Sequence, residues 1–146
     1  MEAFEIKNKK LTKITTKQPQ PFDKEVLISV CAAGINRADI LQVKGLYPPP
    51  DGASDIPGLE VAGEIIDSRH PKWKKGDKVC ALLTGGGYAE YAVAHGDLCL
   101  DIPPQLSFEE AASLPEAFFT VWNNLYYQNQ LKPDDTILIH GGSSGV

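Results

Sequence analysis

Thr136-Ile137-Leu138-Ile139-His140-Gly141-Gly142-Ser143-Ser144-Gly145-Val146 sets a short, continuously apolar run directly before a glycine-rich loop. A run of that length and composition fits a strand buried on both faces of a parallel sheet. A strand leading into such a loop is the opening half of a dinucleotide-binding βαβ unit. Glycines let backbone amides approach a pyrophosphate with no Cβ in the way, and a helix after the loop would offer its amino terminus to the anion. That helix would begin where the sequence reaches Val146, so the 146 residues read as a piece of a longer protein. The other reading of the loop is an ordinary glycine turn.

Upstream, Lys132-Pro133-Asp134-Asp135 is a turn, and before it Phe118, Phe119, Trp122, Leu125 and Tyr126 recur at intervals of three and four. The spacing predicts an amphipathic helix of roughly fourteen residues, from just after Leu114-Pro115 to near Asn129. Ser107 and Glu110 stand in capping-box positions, which start another helix. The first hundred residues have a different character. Runs with β-branched residues or apolar alternation at 3–6, 11–15, 25–33, 58–67, 78–83, 88–93 and 98–101 are punctuated by glycine and proline, the pattern of short strands. Seven short strands with frequent turns predict a compact β-barrel or sandwich. Within residues 36–44, Ile40, Leu41 and Val43 give a helical turn or two before Gly45 stops it. Leu46-Tyr47-Pro48-Pro49-Pro50-Asp51-Gly52 must be a loop, because consecutive prolines fix φ and remove backbone donors. Gly85-Gly86-Gly87 is short enough to join two strands as a hairpin. The fold class is mostly β with α, a barrel followed by the start of an α/β unit.

With 146 residues, 42% of them hydrophobic, the chain can bury one core and a fragment of a second. The net charge of -5 leaves no basic footprint for nucleic acid, and the longest basic cluster is Lys72-Trp73-Lys74-Lys75. Residues 26–35 form the longest nearly apolar run, far short of the roughly 20 residues that a bilayer span requires, so no membrane partner is expected. Met1-Glu2-Ala3-Phe4-Glu5 lacks the basic and apolar regions of a signal peptide, which makes the cytoplasm the expected compartment. Cys31, Cys80 and Cys99 are odd in number, widely spaced and set in apolar runs. They read as reduced, buried thiols, with no support for a disulfide framework or a zinc cluster. His70, His95 and His140 are too scattered for metal spacing, and His140 reads as a satisfied histidine at the end of a buried strand.

Six motifs then occur in a fixed order: Ala33-Gly34-Ile35-Asn36-Arg37-Ala38-Asp39, Gly45-Leu46-Tyr47-Pro48, Pro57-Gly58-Leu59-Glu60-Val61-Ala62-Gly63, Gly76-Asp77-Lys78-Val79, Gly87-Tyr88-Ala89-Glu90-Tyr91 and the closing glycine loop. In this order they resemble the medium-chain dehydrogenase/reductases, and within them the zinc-free quinone oxidoreductases of the zeta-crystallin type. Asn36-Arg37-Ala38-Asp39, Pro48-Pro49-Pro50-Asp51-Gly52-Ala53-Ser54, Pro115-Glu116-Ala117 and Ser144-Gly145-Val146 are most similar to a subgroup whose expression a tumour suppressor induces. The resemblance spans nearly the whole chain. It implies a GroES-like β-barrel domain over residues 1–115, followed over 116–146 by the truncated start of a Rossmann nucleotide-binding domain. It also implies reduction of a quinone by NADPH in the cleft between the two, homodimers in the complete protein, and little or no activity for this chain alone. Zinc-dependent relatives carry Cys where this chain has Asn36 and His where it has Leu59, and neither an amide nor a leucine can serve as a thiolate or imidazole ligand. No metal is expected.

Asn36 opens the short helix, where Asn is a good N-cap; the resemblance implies that it also faces the nicotinamide and substrate. Tyr47, on a stiff proline loop, can stack on a flat quinone or nicotinamide and donate its phenolic hydrogen to a carbonyl oxygen that develops negative charge. It is the preferred catalytic residue beside Asn36; the plainer reading is a loop aromatic packed on its own prolines. Thr120 sits in the amphipathic helix, where its hydroxyl would bond back to the carbonyl four residues before it, while the resemblance implies contact with the cofactor near the nicotinamide. The resemblance implies that Gly142, Ser143, Ser144, Gly145 and Val146 hold the phosphate end of NADPH, Ser144 near the diphosphate and ribose. Asp39 and Glu60 read as structural ions paired with Arg37 or Lys44. Two other readings stay open: an NADPH-dependent 2-alkenal or enone reductase, in which Tyr47 protonates or stabilises an enolate, and a non-catalytic β-barrel scaffold.

Overall fold

The computed structural model describes residues 1–143 and Gly145. β1 (Glu2–Lys7) and β2 (Lys10–Thr15) form an antiparallel hairpin. Its two-residue turn places Asn8 and Lys9 at φ 51° and 58°, the left-handed pair that matches the twist of the flanking strands. β3 (Glu25–Ala33), β4 (Glu60–Ser68), β5 (Lys78–Leu82), β6 (Tyr91–His95) and β7 (Cys99–Asp101) build one antiparallel sheet in the order β6-β3-β4-β5-β7. The hairpin joins it through Phe4 N–H to the Tyr88 carbonyl at 2.9 Å and Glu90 N–H to the Glu2 carbonyl at 3.0 Å.

The sheet curls because β3 and β4 slip register twice, between Leu27 and Ile28 and between Val30 and Ala32; such irregularities bend a strand and deepen its twist. Gly63 lies where the curled strands approach most closely. A Cβ there would fall on the Ser29 carbonyl and 2.9 Å from Ile28 Cγ2. Inside the curl, Val26, Ile28, Val61, Ile65 and Val79 are fully buried. Trp73 closes the cluster, and its indole N–H is satisfied by the Gly96 carbonyl at 2.7 Å, as a buried Trp requires.

Between β3 and β4 runs α1 (Arg37–Val43). After β7 come α2 (Phe108–Ala111), begun by the Ser107 and Glu110 capping box, and α3 (Pro115–Trp122), which continues as a π-helical stretch over Asn123–Gln128. The predicted amphipathic helix is thus present at nearly its expected length, with its last turns wound more widely. None of the helices is long and apolar enough to cross a membrane, among the described residues.

Four local expectations are corrected. The triple glycine is no hairpin link, because β5 pairs with β4 and β7 while β6 pairs with β3. It carries the chain across the sheet instead, with Gly86 and Gly87 N–H donating to the Ile56 and Gly58 carbonyls. Residues 136–140 form no strand. Leu138 is 80% exposed, and among the described residues no neighbouring strand supplies the hydrogen bonds that an extended run needs. His140 therefore closes no buried strand and lies in an exposed turn. Cys31 is exposed rather than buried, since the register slip between Val30 and Ala32 leaves it without a partner and turns it outward.

Candidate functional site

Where β3 ends, Gly34 N–H donates to the Glu60 carbonyl at 3.2 Å, so the start of α1 is laid over the start of β4. Asn36 occupies the N-cap of α1 with extended backbone, φ -112° and ψ 160°. Its own N–H donates to Asp39 Oδ2 at 2.7 Å, the returning half of a capping box. Its side-chain amide points the other way: Nδ2 donates to Glu60 Oε1 at 2.8 Å. Glu60 Oε2 accepts the N–H of Glu116, in the first turn of α3, also at 2.8 Å. One carboxylate therefore ties the amino ends of α1 and α3 to β4.

Asp39 and Glu60 are each only 2% exposed. Among the described residues no ion pair joins them to Arg37 or Lys44. The expected structural pairing is replaced by neutral N–H donors, because both side chains point inward while the cations stay in solvent. Their negative charges act on their neighbours. Burial, then Asp39, then Glu60 push the Tyr88 phenol well above its ordinary range, so it stays protonated; its hydroxyl donates to the Gly34 carbonyl at 3.3 Å. Burial, then Glu60, then Asp39 raise the Glu116 carboxyl.

The remaining candidates lie apart. Tyr47 stands on the loop after α1, about half exposed, on a segment held by Leu46 N–H to the Leu41 carbonyl and Ala53 N–H to the Pro50 carbonyl. Thr120 is one helical turn beyond Glu116, and its hydroxyl donates to the Glu116 carbonyl at 2.7 Å, the back-bond that a threonine in mid-helix commonly makes. Asn36 and Thr120 are therefore connected through Glu60 and the first turns of α3. Gly142 and Ser143 lie in an exposed turn and Gly145 in an irregular stretch beyond it; Ser144 and Val146 fall outside the described residues.

The sequence reading missed Glu60 and Tyr88. The signal was present as a carboxylate set inside the apolar run Leu59-Glu60-Val61-Ala62, since an acid carried into a core by such a run calls for hydrogen-bond donors. Separately, a cavity of about 600 Å³ opens between the β1–β2 hairpin, β3 and α1, with Phe4, Leu11, Val30, Ile35, Ile40 and Val43 among its walls. It shares Asp39 and Tyr88 with the constellation but excludes Asn36, Tyr47 and Thr120.

A nicotinamide dinucleotide fits these residues at one end. Asn36 is an oriented, uncharged amide suited to a neutral ring. At the phosphate end, among the described residues, a Cβ at Gly141 would meet nothing within 4 Å and one at Gly142 only Ile139 at 3.7 Å. Among the described residues no three His, Cys, Asp or Glu side chains converge on a metal position.

A curled antiparallel sheet with a short helix between β3 and β4 is the architecture of the GroES-like domains. The alcohol dehydrogenase GroES-like domain family matches residues 22–104, and the chain belongs to it. The quinone oxidoreductase of Lama guanicoe is 37% identical over 131 residues, covering 88% of this chain and 40% of that protein. A chloroplastic quinone-oxidoreductase homolog of Spinacia oleracea is 39% identical over 140 residues, covering 88% and 43%. Among solved structures, a mycobacterial quinone oxidoreductase superposes with TM-score 0.81 at 29% identity over 99% of this chain and 46% of its own. The CurK enoyl reductase superposes with TM-score 0.84 at 27% identity, covering 99% and 48%. The chain thus spans less than half the length of these relatives.

Proposed function

We propose that the chain is the acceptor-binding part of an NADPH-dependent, zinc-free quinone oxidoreductase. The observation that carries this reading is Asn36, a neutral amide held in place by a buried carboxylate that also holds the first turn of α3. Residues 1–115 form the substrate unit and 116–146 the beginning of the nucleotide-binding unit. Gly142, Ser143, Ser144, Gly145 and Val146 would hold the phosphate end of NADPH, which would supply the hydride when bound. Asn36 would face the nicotinamide and the quinone, and Thr120 would contact the cofactor near the nicotinamide. Tyr47 donates its phenolic hydrogen to the quinone oxygen on which negative charge develops. Asn36 and Leu59 offer no zinc ligand, so polarisation of the carbonyl falls to hydrogen-bond donors. The complete protein works as a homodimer in this reading.

The enoyl reductase likeness favours one second reading, in which the same donor stabilises the enolate of an α,β-unsaturated carbonyl substrate. The test is titration of NADPH into this chain and into a version extended through the nucleotide-binding unit, following nicotinamide fluorescence and then adding an ortho-quinone or an enone. Binding and acceptor-dependent NADPH loss are expected in the extended form alone. Silence in both would replace the reductase by a scaffold, and a Tyr47→Phe enzyme with full turnover would remove the phenol from the chemistry.

A further inference from the structure

Glu60 reaches its two partners through a gap that exists because residue 34 is glycine. A Cβ at Gly34 would fall on Glu60 Oε1 and stand 2.6 Å from its Cγ and Cδ. Past that gap the two carboxylate oxygens diverge, Oε1 accepting from Asn36 Nδ2 and Oε2 from Glu116 N–H, each at 2.8 Å. Both partners are donors. Only a side chain with acceptors on both branches satisfies them, because a glutamine amide turns an NH2 toward one donor or the other. Hydrogen bonds from neutral donors to a buried carboxylate are also stronger than neutral pairs. Glu60 therefore links a helix start at residue 36 to one 80 positions later in the sequence.

We propose that Glu60 is a positioning residue that couples Asn36 to α3: the Asn36 amide holds its orientation while the first turn of α3 is docked on β4, and the same carboxylate maintains both. The catalytic consequence rests on the reading of Asn36 as a nicotinamide-end residue. The coupling does not, and its readout is the chain's own amides, so a failed quinone assay leaves it standing.

The test is nitrogen-edited NMR of this chain. In Glu60→Ala, which removes both acceptors, the Asn36 side-chain NH2 and the Glu116 N–H signals both move, and hydrogen exchange at Glu116 accelerates by about tenfold or more, the expected loss for a bond to a charged acceptor. Exchange at Ile65, whose N–H is held by the Asp77 carbonyl inside the sheet, stays unchanged. Gly34→Ala, which closes the gap and keeps the acid, shifts the same two signals. A second variant approaches the carboxylate from its other partner. Asn36→Ala leaves Glu60 with the Glu116 N–H alone, and that signal moves although nothing in α3 has changed. A Glu60→Ala chain in which either signal stays put, or an Asn36→Ala chain in which the Glu116 N–H stays put, would overturn the coupling. Should Glu60→Ala fail to fold, Asn36→Ala decides alone.

Discussion

Ile28 and Ile65 are fully buried, whereas Ile137, Leu138 and Ile139 are 42%, 80% and 65% exposed. The two regions have similar side chains and similar apolar patterning. What differs is their neighbours. β3 is flanked by β4 and β6, and its Val26 and Ile28 share one buried cluster with Val79, Ala81 and Ala92, so its backbone and its side chains are both satisfied. Among the described residues no strand lies beside 136–140, and on α3 Phe118 and Trp122 are left more than half exposed. Beyond α3 the aromatic surface partly covers itself, with the Trp122 and Tyr126 rings 4.6 Å apart. An apolar β-prone run becomes a strand when partners meet both its hydrogen-bonding and its packing needs, and stays extended coil otherwise.

The comparison breaks most visibly at Ile65. Ile65→Ala is expected to lower the unfolding free energy by about 2–5 kcal/mol, read as a shift in urea midpoint at constant slope. Alkaline pH probes the same core. Burial pushes the Cys99 thiol from its ordinary 9.0 up to about 12, so the folded state keeps a proton that the unfolded chain releases. Stability therefore falls as pH rises from about 9 toward 12, and Cys99→Ala flattens that dependence in urea melts run across the range. A still smaller change marks the join between the regions. Ser107 Oγ accepts the Glu110 N–H at 3.2 Å, and Ser107→Ala should cost about 1 kcal/mol. At the other extreme, Leu138→Ala is expected to leave the urea midpoint within about 0.5 kcal/mol of wild type; a cost like that of Ile65→Ala would show the segment to be packed after all.

The barrel was legible because its signals are local. Residues 25–33 and the Ser107 cap stand where alternation and spacing put them, and the turn at Gly45 ends α1 as read. Ordered motifs between Ala33 and Tyr91 carried the family likeness, and Asn36 emerged both as a cap and as a candidate site residue. The site itself was legible only in part. Asp39 and Glu60 looked like surface acids in want of a cation, because sequence shows a charge without showing which way it points.

Composition, punctuation and motif order by themselves determined a β-rich unit, a short helix opened by Asn36, and a glycine loop after an apolar run. Only the tertiary structure decided that a register slip turns Cys31 outward, that the triple glycine crosses the sheet, and that residues 136–140 remain unpaired. It also decided that Glu60 passes through the space left by Gly34 to hold Asn36 and α3 together. The physical reason is the same in each case. Local preference is set by neighbours along the chain, whereas burial, pairing and the fate of a charge are set by neighbours in space.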